Sequence, residues 1–137
     1  MLMVVAIAVA SVSMSTSGSA QTRDPTHDIE TAQRLYQAVS EHFNVTFVES
    51  QVGALRAGGR FAQVVITDSV MFHAGGDVQR ERARNVAQYV KNQLRDEPDL
   101  RTIRIGWKYA PPGGMSTMLT FDFLASELEP GGPLQRS

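Results

Sequence analysis

The chain opens with an apolar run, Met1 to Val12, interrupted only by Ser11 and followed by the small polar stretch Ser13 to Ala20. An apolar segment leading into Gly18-Ser19-Ala20 before Gln21 is the pattern of a secretory signal peptide, with cleavage expected after Ala20. The run is well short of the roughly 20 residues that a spanning helix requires, so no stable membrane anchor is expected after cleavage. No Lys or Arg precedes it, which leaves the α-amino group as the only positive charge at that end.

Beyond this segment the periodicities change several times. Apolar residues at Ile29, Ala32, Leu35, Tyr36, Val39 and Phe43 recur at three or four positions, with Asp24 as N-cap, Pro25 at the first helical position and Asn44 as the end. Val45 to Arg56 and Arg60 to Phe72 are rich in Val, Phe, Ile and Thr and flank Gly58-Gly59, which predicts an antiparallel hairpin. Ala74-Gly75-Gly76 then breaks the chain. A second helix is expected from an Asp77 cap, with Val78, Ala83, Val86, Ala87, Val90 and Leu94 inward, Arg80, Glu81, Arg84, Gln88 and Lys91 outward, and Pro98 as the stop. Leu100 to Tyr109 alternates, with Ile103, Ile105, Trp107 and Tyr109 on one face. After Pro111-Pro112-Gly113-Gly114, the segment Thr117 to Leu124 alternates again, with Leu119, Phe121 and Phe123 inward.

This order predicts an α+β, two-layer sandwich of αββαββ sequence: a four-stranded, mostly antiparallel sheet with two helices on one face. The strand before the second helix is expected to run parallel to the strand after it, through a right-handed crossover. The polar alternates Thr102, Arg104, Lys108, Thr120 and Asp122 predict that the other face is solvated. The expected organisation is a leader over residues 1–20, one domain over 23–127 and a disordered tail over 128–137, rich in Pro and Gly.

Composition narrows the function classes. The 137 residues suit one domain, and an apolar share of 42% is enough for one core. Thirteen basic against fourteen acidic side chains give a net charge of −1, without the basic footprint of a nucleic-acid partner. The absence of cysteine excludes disulfides, thiolate metal sites and cysteine nucleophiles.

Candidate chemistry is sparse. The histidines His27, His42 and His73 stand in no metal-ligand spacing, no GxSxG elbow is present, and no glycine-rich loop carries a phosphate-binding Lys. No metal, cofactor or catalytic set is therefore expected. Four residues are candidates for binding. Trp107 and Tyr109 precede a Pro-Gly loop and could stack a sugar or grip a peptide. His73 follows a strand end beside a glycine turn, and Asp77 opens the next helix.

Asp68-Ser69-Val70-Met71-Phe72, the helix from Asp77 to Arg95, Pro98, Ile103, Ile105 and Gly106 form a framework over residues 68 to 114. It resembles the first half of the outer-membrane-protein-A-like, peptidoglycan-binding domain. Trp107-Lys108-Tyr109 stands where that family has His-Thr-Asp, and no counterpart of its second helix follows Gly114, so no ligand contact is carried over.

The reading that combines these signals is a non-enzymatic binding or interaction module, exported to the periplasm or outside the cell and acting on a protein or glycan of the envelope. A small secreted enzyme using His73 with Asp68 or Asp77 is the alternative. A homo-oligomer assembled through the sheet or an edge strand is a third reading.

Overall fold

The computed structural model describes residues 25–128; the leader reading (1–20), the Asp24 cap and the tail from residue 129 onward lie outside the described residues. The elements are α1 (Pro25–Phe43), β1 (Val48–Ala54), β2 (Arg60–Thr67), α2 (Ser69–Phe72), α3 (Gly76–Gln93), β3 (Leu100–Tyr109) and β4 (Thr117–Leu124), closed by a 3-10 turn (Ala125–Glu127). The fold is α+β: one four-stranded sheet in the order β1-β2-β3-β4, packed against helices. Antiparallel pairs β1–β2 and β3–β4 flank one parallel pair, β2–β3, with α3 in the crossover.

Register explains the core. Three rows cross the sheet on the helix side: Val48-Ile66-Trp107-Leu119, Ser50-Val64-Ile105-Phe121 and Val52-Ala62-Ile103-Phe123. All but Ser50, Leu119 and Phe121 are buried, and they meet Leu35 and Val39 of α1 and Ala83, Val86, Ala87 and Val90 of α3. The opposite face carries the polar row Gln51-Gln63-Arg104-Asp122, as a solvated face should. One apolar residue on that side, Val65, is nevertheless buried. The ion pair from Lys108 Nζ to Glu49 Oε2 (2.8 Å) spans β2 beside it, and the Met118 side chain covers the neighbouring Gly106.

Local deviations from the sequence expectation each have a physical cause. The segment Asp68 to Phe72 does not continue β2. The Asp68 carboxylate accepts from the Met71 N–H (3.0 Å) and caps the one-turn helix α2, which the apolar run Val70-Met71-Phe72 disguised as strand. In α1 the buried stripe is Thr31, Leu35 and Val39, spaced by four, so Ile29 and Tyr36 fall on its flank and are exposed. Helix α3 begins at Gly76 with Gly75 as N-cap, placing Asp77 in its first turn rather than at the cap.

Two glutamines join Ala83, Val86, Ala87 and Val90 on the inward side of α3, and Val78 does not. The buried Gln79 donates from Nε2 to the Met71 and Phe72 carbonyls (3.2 and 2.7 Å), tying α2 to α3. Gln88, expected in solvent, is buried and donates to the Leu128 carbonyl (3.3 Å). Lys91 Nζ donates to the Ala125 and Leu128 carbonyls (2.7 and 2.6 Å). Leu128, expected to begin the tail, is thereby held in the core with no exposed surface. The β1–β2 turn forms around Gly58 and Gly59, whose φ values of 105° and 87° lie where side chains are strained.

Candidate functional site

Trp107 is not a binding platform. It is 2% exposed, and its indole N–H donates to the Gln79 carbonyl at 3.1 Å, so the ring fills the core beneath α3 and its polar edge is satisfied. Alternation along β3 placed it inward correctly, and that placement removes it from the surface.

Tyr109 and His73 do come together. The His73 ring stands edge-on to Tyr109 (centroids 4.7 Å apart), and Phe72 stacks against Tyr109 at 5.5 Å. This cluster sits where β3 ends and α2 closes, and His73 is held there by its Nδ1 hydrogen bond to the Ser69 carbonyl (2.8 Å). Asp77 is exposed in the first turn of α3. Asp68 is committed to capping α2. None of the hydrogen bonds observed among the described residues joins His73 to Asp68 or Asp77, so the acid/base pairing considered from sequence gains no geometric support. His42, near the end of α1, stacks on Tyr89 of α3 at 4.0 Å, and the Tyr89 hydroxyl donates to the Ala38 carbonyl (3.3 Å), a helix-to-helix contact.

A second cluster was invisible to sequence reasoning. Arg60, 8% exposed at the start of β2, donates to Asp28 of α1 and from Nε to Glu97 Oε2 (2.9 Å), while His27 Nε2 lies 3.4 Å from Glu97 Oε1. Ligand-type atoms of His27, Asp28 and Glu97 lie within 4.8 Å of one another, a spacing a cation could use. The guanidinium between the two carboxylates already supplies the positive charge, and the arrangement is a buried ion-pair network that pins α1 to the turn before β3. Because its members are up to 70 residues apart, no local spacing could have revealed it. Beside it, a shallow, open depression of about 450 Å³ is bordered by Lys91, Arg95, Glu97 and Asp99. Lys91 and Glu97 are engaged in the contacts described above.

A further surface is β4. Among the described residues β3 is its one strand neighbour, so its outer edge carries no partner. Only Phe123 is buried; Met118 (47% exposed), Leu119 (37%) and Leu124 (51%) present large apolar side chains on both faces. In place of an apolar helix stripe, the Arg80 and Arg84 guanidinium groups of α3 lie over the Phe121 and Phe123 rings at 5.4 to 6.0 Å. These arginines are therefore ring-stacked as well as partly solvated.

The only ionisable side chain on β4, Asp122, is neutralised by Arg104 through two bonds, Nε to Oδ1 (2.6 Å) and Nη2 to Oδ2 (3.0 Å). The guanidinium hydrogen bonds hold the Asp122 carboxyl below its usual range and raise Arg104 above its own.

No family model fits the chain, no curated protein matches its sequence, and no solved structure matches its fold. Function must therefore be argued from these surfaces. Among the described residues no helix is long and apolar enough to cross a membrane.

Proposed function

We propose that the chain is a non-enzymatic interaction module of the cell envelope or extracellular space that works by strand addition at the outer edge of β4. The observation that carries this reading is the exposure of Met118, Leu119 and Leu124 on both faces of an edge strand that has, among the described residues, no strand partner on its outer side and whose one charge is already paired. Proteins ordinarily blunt such an edge with lysines, prolines, bulges or a covering helix; β4 carries no lysine, proline or bulge, and among the described residues α3 covers it only in part. An added strand would satisfy the outer backbone groups and cover the apolar side chains together. The envelope setting rests on the signal-peptide pattern of residues 1–20, with the resemblance of residues 68–114 as a secondary support.

Site-specific photo-cross-linking in the producing cell tests the reading. A photoreactive side chain at Leu119 or Leu124 is expected to give a covalent adduct, whereas the same group at exposed Ile29 on α1 gives none. Equal adduct yields at all three positions, or no adduct at β4, would overturn strand addition. Intact mass of the chain recovered from the extracytoplasmic fraction tests the setting: residues 21–137 are expected, and a full-length cytosolic chain would refute export.

A further inference from the structure

We infer that the strand added to β4 is β4 of a second copy of this chain, in an antiparallel pairing centred on Phe121; this rests on the strand-addition reading and names its partner. A two-fold axis perpendicular to the sheet keeps the same face upward in both copies, so facing residues must share a face and the axis must pass midway between two copies of one residue. The three central registers differ sharply in what they bring together.

With the axis at Asp122, two carboxylates would meet directly, which is unfavourable across a strand pair. With the axis at Thr120, Asp122 would face Met118. With the axis at Phe121, Met118 faces Leu124, Leu119 faces Phe123, Phe121 meets its own copy and Asp122 faces Thr120, whose hydroxyl can donate to it. This register places every large apolar side chain of β4 against another and keeps each carboxylate away from its counterpart.

The two faces of the strand agree on this choice. Met118 and Leu124 lie on the open face, and Leu119, Phe121 and Phe123 lie on the helix face, so one register covers the exposed residues of both at once. The Arg104 side chain remains beside Asp122, so pairing buries no uncompensated charge. The product is a sheet continuous through both copies, with α3 of each on the same side.

The test uses the full chain as the producing cell delivers it. Sedimentation velocity over a wide concentration range is expected to show a reversible monomer–dimer equilibrium. Leu119→Lys is expected to raise the dimer dissociation constant by about 100-fold, through the cost of burying an unpaired ammonium on each copy. Ile29→Lys, on a distant exposed site, leaves it unchanged, and circular dichroism melts verify that both variants fold.

The register is read from thiols, because the natural chain has none. Met118→Cys mixed with Leu124→Cys is expected to give a disulfide dimer, while each variant alone does not, because its two thiols would stand roughly 20 Å apart along the strands. A chain that stays monomeric, or a dimer indifferent to Leu119→Lys, overturns self-pairing. A dimer that cross-links in another thiol combination overturns the register. The photo-cross-linking experiment separates the two levels: a β4 adduct to a different protein, or to the chain's own segment beyond residue 128, defeats self-pairing while strand addition stands, and no β4 adduct defeats both.

Discussion

The sheet has two edges, and they are finished differently. At β1, α1 lies across the strand: Val48 and Val52 are buried, the Ser50 hydroxyl donates to the Ala32 carbonyl (2.6 Å), and the outward positions are Glu49, Gln51 and a glycine. At β4 no helix covers the strand fully, both faces carry exposed apolar side chains, and arginine stacking stands in for packing. Two edge strands of similar length therefore face opposite requirements. The first is a finished boundary of the fold. The second buries Phe123 but leaves Met118, Leu119 and Leu124 37% to 51% exposed in the monomer.

The contrast is sharpest at Trp107, which lies in the same cross-sheet row as Leu119. Trp107→Ala is expected to lower stability by about 4 kcal/mol, by opening a cavity under α3 and removing the indole hydrogen bond to the Gln79 carbonyl. Urea denaturation measures this, and a loss under about 1 kcal/mol would mean that the row is not packed as described.

Arg60→Ala should cost about 3 kcal/mol, because the buried Glu97 carboxylate loses the guanidinium that compensates it. Glu97→Gln in the same background should recover part of that loss in a double-mutant cycle; strict additivity would show that the two are not coupled. For the edges themselves, Val52→Ala on β1 should cost about 2 kcal/mol, whereas Leu119→Ala on β4, measured at concentrations low enough to keep the chain monomeric, should cost only about 1 kcal/mol. Equal costs at the two positions would erase the difference between the edges.

The smallest effect belongs to Asp122→Asn, expected at under about 1 kcal/mol because the pair with Arg104 is solvent-exposed. Its pH dependence has a definite sign. The folded carboxyl titrates below its unfolded value of about 3.9, so the contribution is complete above that pH and disappears as pH falls through the lower, folded value. Wild type and Asp122→Asn should therefore converge in stability in strong acid. A difference that persists there unchanged would assign the effect to packing instead.

Much of this fold was legible in alternation. The span of β3, the inward set Ile103, Ile105 and Trp107, the Gly58-Gly59 hairpin and the parallel crossover all follow from period and punctuation. What the pattern concealed were polar residues with inward roles. Gln88 reads as surface by type and Gln79 stands in neither the inward nor the outward set, but their side chains reach backbone carbonyls of the closing turn and α2, which hydropathy does not encode. Val78 and Ile29 show the converse, apolar residues displaced to the surface because Gln79 and Thr31 occupy the inward positions.

The candidate surface was less legible than the fold. Trp107 attracted notice as an aromatic before a loop, although its own alternation already directed it inward. The β4 edge was hidden for a different reason. Leu119 and Phe121 read as core from their period, and only the strand order shows that their row runs past the cover of the helices.

The parallel pair at the centre of the sheet has a kinetic consequence. Each antiparallel pair closes through a short local turn, but joining β2 to β3 requires residues about 40 positions apart, such as Val64 and Ile105, to meet after α3 has formed. Their docking is expected to be the slow event of folding, leaving Val and Ile of both hairpins bare until it occurs. Val64→Ala is therefore expected to slow refolding, while Leu35→Ala on α1 chiefly speeds unfolding; stopped-flow chevrons with the opposite partition would place the bottleneck elsewhere. The time to dock therefore sets how long those side chains stay open to non-native contacts.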